Sequence, residues 1–195
     1  MSEPETIWTI GHSTHPIEAF IALLQHHRIQ AIADVRRFPG SRRLPHFGED
    51  ALRASLSEHG IEYRFIPQLG GRRKAIPDTP NTGWRNASFR GYADHVESDE
   101  FDEGLAILIE LASQYRTAMM CAEVLWWRCH RSLVSDVLKL RGIEVLHIQD
   151  AKQVSEHPYT APARLWQGKL SYRQNEGEPL NEKQRSFGVQ TSLDF

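Results

Sequence analysis

The sequence predicts a single three-layer α/β domain: a mostly parallel, Rossmann-like sheet of about five strands with helices on both faces. Three observations predict it. Short apolar runs alternate with longer segments whose apolar residues recur at helical spacing. Gly60 and Gly142 stand where two of those segments should stop. The residues after each apolar run switch abruptly to Gly, His, Asp, Arg, Cys and Glu, as expected at the carboxyl edge of a parallel sheet.

Residues 7–11 (I-W-T-I-G) read as the first strand. Thr14 is a candidate N-cap and Pro16 a fitting helix start, with Ile17, Phe20, Ile21, Leu23 and Leu24 following at helical spacing. Residues 31–35 form the second strand. Residues 36–48 are loop, because F-P-G and L-P-H punctuate them. Residues 49–59 are a helix with Ala51, Leu52 and Leu56 on its apolar side, and 61–66 the third strand. A second long loop over 67–87 holds Gly70-Gly71, Pro77, Pro80 and Asn81-Thr82-Gly83. Loops of that length in a compact domain are usually functional. Helices over 92–96 and 101–115 follow, then a strand over 117–121, a helix from Arg128 or Cys129 to Leu140, and a strand over 143–148. Residues 1–150 make up the α/β domain. Residues 151–195 are an extension, with Leu165, Trp166, Leu170 and Tyr172 in a hairpin or docked strand and a loose tail from 175.

A chain of 195 residues, 40 % hydrophobic and 25 % charged, suits one such domain plus an appendage. No apolar run approaches the ~20 residues of a membrane span, and the start (Ser2, Glu3, Glu5) lacks the basic segment and apolar core of a secretory signal. A cytoplasmic protein without a membrane partner is expected. Two cysteines are no disulfide framework, and in a reducing compartment they are buried, catalytic or metal-bound. The net charge of −2 conceals a basic region: from Val35 to Arg90, ten arginines and one lysine face five acidic residues. Guanidinium groups suit planar contact with phosphate or carboxylate, although a solvated basic face has the same composition. Composition leaves the oligomeric state open.

The chemistry gathers just past the strands. Gly11-His12-Ser13 follows the first, Asp34 and Arg36 the second, Gln68-Leu69-Gly70-Gly71-Arg72 the third, Cys121 and Glu123 the fourth, and His147 and Asp150 the fifth. Gly11, His12 and Ser13 could cradle a phosphate at a helix N-terminus, or be a glycine turn with a hydroxyl cap. The segment C-A-E-V-L-W-W-R-C-H-R, from Cys121 to Arg131, is richer. Cys129, His130 and Arg131 fall near a helix start, which favours a thiolate or a bound anion. Glu123 could orient His130 or serve as general base, so the segment holds the parts of thiol catalysis: sulfur, proton carrier and carboxylate. Against this, Cys121 could be a buried apolar residue, and Glu123 and Arg131 a structural ion pair. A metal is the weaker alternative, since side chains adjacent on a helix point ~100° apart and no C-x-x-C is present. Arg90 and Tyr92, near a helix start after the basic loop, are further anion-contact candidates, as is Ser41 in the first loop.

Together these motifs resemble the DUF488 family of bacterial and archaeal proteins of unknown function. The matching pieces are T-I-G-H-S (9–13), D-V-R-x-F-P-x-S (34–41), L-G-G (69–71), F-R-G-Y-A-D (89–94) and C-A-E-x(5)-C-H-R-S-L (121–133), with H-P-Y-T (157–160) similar to one branch. The family pattern has a proline, which would stiffen the loop, where this chain has Trp126. The resemblance implies an α/β fold and residues that act together, but no activity and no cofactor.

The residues themselves favour an enzyme, a hydrolase or transferase, or a binding protein, for a small anionic, phosphate-bearing ligand such as a nucleotide or nucleic-acid component. Glu123 and His130 would do acid–base work, Cys129 or Cys121 would be nucleophile or pocket wall, and Arg36, Arg90 and Arg131 would hold the anion. Gly11, His12, Ser13 and Asp34 would form the floor. The alternatives are a non-catalytic nucleic-acid binder using the arginine-rich loops, and a thiol redox or metal-binding protein.

Overall fold

The computed structural model describes residues 4–40 and 43–180, so Ser41 and the part of the expected tail from 181 onward lie outside the described residues. Strands β1 (Thr6–Gly11), β2 (Ala31–Asp34), β3 (Glu62–Phe65), β4 (Thr117–Cys121) and β5 (Glu144–Ile148) run parallel in the order β3-β2-β4-β1-β5. A sixth, β6 (Val154–Glu156), joins antiparallel at the β5 edge. Its V-S-E sequence carries no apolar alternation, because both Val154 and Glu156 are exposed.

Successive strand residues point to opposite faces, and at β1, β2 and β4 both faces are buried, so these strands read as nearly continuous hydrophobic runs. Trp8, Ile10, Ile32, Ala118 and Met120 pack against Phe20, Ile21 and Leu24 of α1 (Ile17–His26) and Leu52 and Leu56 of α2 (Glu49–Glu58). Ile7, Ala31, Ala33, Met119 and Val145 face the other way. They meet Phe101, Leu105 and Leu108 of α4 (Asp99–Gln114) and Leu133, Val134 and Leu138 of α5 (Arg131–Leu140). α3 (Ala87–Val96) covers the same side through Tyr92 and Ala93. The molecule is thus a three-layer α/β fold.

Two helix starts differ from the sequence expectation. α3 begins at Ala87 because the Asn86 side chain accepts a hydrogen bond from the Ser88 amide, an N-cap set back in what reads as loop. α5 begins only at Arg131. Trp126–Arg128 form a separate 3₁₀ turn, and Cys129 is extended, with φ −124° and ψ 147°.

The strand order places the site. The α1 connection leaves β1 for β2 on one face, and the α5 connection leaves β4 for β5 on the other, so a crevice opens beyond the adjacent ends of β1 and β4. There Gly11 is in register with Cys121, the His12 amide donates to the Cys121 carbonyl (2.9 Å), and the Ser13 amide donates to the Ala122 carbonyl (3.0 Å). A Cβ on Gly11 would land on the Glu123 carbonyl, so glycine lets the β4–α5 loop fold back over β1.

Past Asp150, β7 (Arg164–Trp166), β8 (Lys169–Ser171) and β9 (Glu178–Pro179) form a small antiparallel sheet, the first two as a hairpin. The extension is tied to α5 through buried Asp136. Its carboxylate accepts from the Tyr172 hydroxyl (2.9 Å), the Thr160 hydroxyl (2.5 Å) and His157 Nε2 (3.0 Å). No described helix is long and apolar enough to cross a membrane.

Candidate functional site

A cleft of about 630 Å³ opens at the crevice. The β4–α5 loop supplies Cys121, Glu123, Arg128, Cys129 and His130 to its lining. Ser13 and Thr14 come from the end of β1, Arg36, Arg37 and Phe38 from the end of β2, Arg72 from the loop after β3, and Phe89 and Tyr92 from α3.

At the floor, Cys129 Sγ lies 3.6 Å from His130 Nδ1. The expected divergence of these two side chains does not occur, because Cys129 is extended and His130 caps the helix, so the ~100° helical separation does not apply. His130 Nε2 donates to the Val35 carbonyl (2.9 Å), which leaves Nδ1 to face the sulfur. Gly71 backs the ring so closely that a Cβ there would stand 2.7 Å from Nδ1. Arg131 is fully buried beneath. Its Nε donates to Cys129 Sγ (3.4 Å), and its Nη2 donates to the Glu123 carbonyl and, at 3.4 Å, to that of Val124.

The two free thiols lie close enough to perturb each other, and their pKa values shift in opposite directions. Burial pushes the Cys129 thiol up, but the hydrogen bond from Cys121, the positive charges of His130 and Arg131 and the His130 hydrogen bond outweigh it, holding Cys129 well below the usual thiol range. The hydrogen bond to Cys129 and then burial hold the Cys121 thiol well above that range. Of the two, Cys129 is the sulfur whose surroundings favour the thiolate.

Cys121 Sγ, Cys129 Sγ and a His130 ring nitrogen lie within 4.8 Å of one another, a set of soft donors suited to zinc or copper(I). The Arg131 guanidinium already donates to the same Cys129 sulfur, and a cation would have to stand beside that fixed charge. The surroundings fit a free thiolate better than a metal centre.

Glu123 is exposed at the cleft, and its carboxylate accepts from the Leu125 amide (3.2 Å). His130 is oriented by the Val35 carbonyl, and Arg131 holds the backbone carbonyl of Glu123 rather than its carboxylate.

Asp34, Arg36 and His12 form a second buried cluster. Arg36 Nη2 and Nε donate to Asp34 (2.5 and 2.9 Å), its Nη1 donates to the Phe47 carbonyl (2.8 Å), and the Tyr63 hydroxyl donates to Asp34 Oδ2 (2.7 Å). The His12 ring stacks on Phe47 at 4.0 Å, with Nδ1 2.9 Å from the Ser13 carbonyl and Nε2 3.4 Å from Arg36. Burial, then the Arg36 charge, lower its pKa to about 4, so the ring is neutral at physiological pH.

Cys121, Glu123, Cys129, His130, Ser13, Arg36 and Tyr92 therefore meet at the cleft, while Gly11, His12, Asp34 and Arg131 support it from below. Tyr92 is anchored by its hydroxyl on the Leu69 carbonyl (2.7 Å). Arg90 is not in the lining; it points at the carbonyls of Trp84 and Arg85, 3.4 Å from each.

Arg72, expected at the edge after the third strand, lines the cleft, whereas Arg37 and Arg128 were not anticipated there. Arg72 follows Gly70-Gly71 in left-handed backbone, φ 58°, a conformation that costs a non-glycine residue about 1 kcal/mol. Its position after a strand and a glycine pair was the available signal. Trp126 stacks flat on buried His147 (4.3 Å, 7°), which in turn contacts Thr9 Oγ1 (2.7 Å) and His157 (2.9 Å). The loop is thus held by ring packing.

A model of the family described as "Domain of unknown function DUF488" matches residues 16–138, which include β2 to β4 and most of α5. No curated protein and no solved structure matches the chain.

Proposed function

Because the chain belongs to the DUF488 family, whose description names no activity, we propose from the site alone that it is an enzyme, a hydrolase or transferase, acting on a phosphate-bearing ligand of the nucleotide or nucleic-acid-component class. One observation carries this reading: the Cys129–His130 pair, 3.6 Å apart, lies at the floor of a cleft that Arg72 and Arg128 also line. Among the described residues neither arginine has a carboxylate partner, so both guanidinium groups are available to an anion. Cys129 is the nucleophile, His130 carries a proton at Nδ1, and exposed Glu123 serves as the second acid–base group toward water or the leaving group. Ser13 and the end of β1 shape the opposite wall.

Calorimetric titration with inorganic phosphate and with nucleoside mono- and triphosphates tests the binding half. The parent should bind at least one, and Arg72→Ala/Arg128→Ala should weaken binding by at least about tenfold, the equivalent of ~1.4 kcal/mol. Failure of every probe on the parent removes the reading. For the chemical half, Glu123→Gln and His130→Gln should abolish turnover of whichever ester binds while leaving the fold intact; unfolding of both variants would mark a structural cluster instead.

A second reading, non-catalytic binding of single-stranded nucleic acid, is favoured by the exposure of Phe38 (66 %) and Trp127 (49 %) beside these arginines. It calls for affinity that falls steeply with salt and is indifferent to Cys129→Ser.

A further inference from the structure

Phosphate-ester chemistry needs one cysteine, and the cleft holds two. Cys121 is fixed at the end of β4 by its register with Gly11. Cys129 lies on the extended residue between a 3₁₀ turn and α5, outside regular structure. Both cysteines are free and line the cleft, and their sulfurs and a His130 ring nitrogen fall within 4.8 Å of one another. A disulfide requires ~2.05 Å between sulfurs, so closure asks for a rotation of the Cys129 side chain away from Arg131 and His130 toward Cys121.

We propose that Cys129 and Cys121 form a peroxide-reactive dithiol, with Cys129 attacking a small hydroperoxide and Cys121 resolving the product into an intramolecular disulfide. The electrostatics support this division of labour. Cys129 is the sulfur that Arg131 Nε and His130 Nδ1 face, contacts that lower its pKa, while that of Cys121 is raised. A thiolate attacks peroxide, and a neighbouring thiol resolves the sulfenic acid.

The steps balance. The Cys129 thiolate attacks the distal oxygen of hydrogen peroxide, the O–O bond breaks, and the departing oxygen takes the proton shared with His130 Nδ1 to leave as water. Cys129 is then a sulfenic acid. The Cys121 sulfur attacks that sulfur, the S–O bond breaks, and the leaving hydroxyl departs as a second water with the Cys121 proton. Two thiols lose two electrons and one peroxide gains two. An external dithiol, dithiothreitol in the test tube, returns both electrons. Because the disulfide consumes the nucleophile of the proposed enzyme, peroxide would also switch that activity off. The inference shares with that reading only the thiolate character of Cys129, and it requires no phosphate-bearing substrate.

The chain contains only two cysteines, so intact-mass counting is unambiguous. The reduced full-length protein is treated with one equivalent of hydrogen peroxide, denatured, and alkylated with iodoacetamide. The parent should take up no alkyl group and lose the mass of two hydrogens, with both thiols recovered after dithiothreitol. Oxidation should run at least about tenfold faster than that of free cysteine at neutral pH, where an ordinary thiol is only a few per cent thiolate. Cys121→Ser should halt at a sulfenic acid that dimedone traps on Cys129, and Cys129→Ser should leave Cys121 alkylatable. Two alkylatable thiols in the treated parent, or a disulfide between two chains, overturns the proposal, as does equal oxidation of Cys121 in Cys129→Ser. The parent measurement stands even if a variant fails to fold. Ester turnover by the reduced parent is scored separately, so either reading can fail alone.

Discussion

Arg36 and Arg131 are both buried arginines at the carboxyl edge of the same sheet, yet they do opposite things. Arg36 is neutralised: the Asp34 carboxylate takes its Nη2 and Nε, and the Phe47 carbonyl takes Nη1. Among the described residues no carboxylate pairs with Arg131, whose partners are the Glu123 and Val124 carbonyls and the Cys129 sulfur. A buried guanidinium needs hydrogen-bond acceptors wherever it sits, but only one without a carboxylate retains charge to give away. Arg36 is a closed pair that fixes the loop after β2, and Arg131 is an open one that favours a thiolate.

The sharpest way to break this contrast is to remove Asp34. Asp34→Ala leaves Arg36 buried and uncompensated, and urea unfolding should show a loss of about 3–5 kcal/mol; a loss comparable to that of a surface substitution would mean the pair is not what holds the loop. Next in size is Arg131→Met. Alkylation of Cys129 follows its thiolate, so the depressed pKa places the midpoint of the rate below the ~8.5 of an ordinary thiol. Losing the guanidinium should move that midpoint upward and slow the reaction at neutral pH by about tenfold, ~1.4 kcal/mol.

The same depression has a stability consequence with a definite sign. The contribution of the Cys129 thiolate is complete above the unfolded thiol value and is lost as pH falls through the folded one. The stability difference between the parent and Cys129→Ser should therefore shrink on acidification across that window. Smallest in stability terms is Arg128→Ala, an exposed arginine with neither role. Its unfolding free energy should stay within about 0.5 kcal/mol of the parent, while phosphate-ligand affinity falls.

The strands β1, β2 and β4 were legible in the sequence because burial on both faces makes each one a mostly apolar run. β6 was not, since Val154-Ser155-Glu156 is a polar, exposed edge. The start of α5 was misplaced because Trp126-Trp127-Arg128 has ordinary helical character, and nothing in it signals a 3₁₀ turn followed by an extended cysteine. That detail brings Cys129 and His130 together.

The location of the site could be read from Cys121 to Arg131 lying across a strand end and a helix start. The direction of the His130 ring could not, because the Val35 carbonyl that fixes it is distant in sequence. The sequence suggested Arg36, Arg90 and Arg131 as anion contacts, and the structure gives each of them internal partners. Arg36 and Arg131 are consumed internally, Arg90 turns to backbone carbonyls, and Arg72 reaches the cleft through a left-handed φ that sequence does not announce.

The middle position of β4 bears on how the chain folds. β1 and β2 do not pair with each other; each pairs with β4, in registers such as Thr9 with Met119 and Ala33 with Met119. The two earliest strands must therefore hold a gap open until a segment roughly a hundred residues later arrives to fill it, a non-local closure of the kind that slows folding. A nascent chain ending before Thr117 lacks the centre of its sheet. In such a chain the segment carrying Cys129 and His130 is still to come, and the cleft floor takes shape only as β4 closes the centre of the sheet.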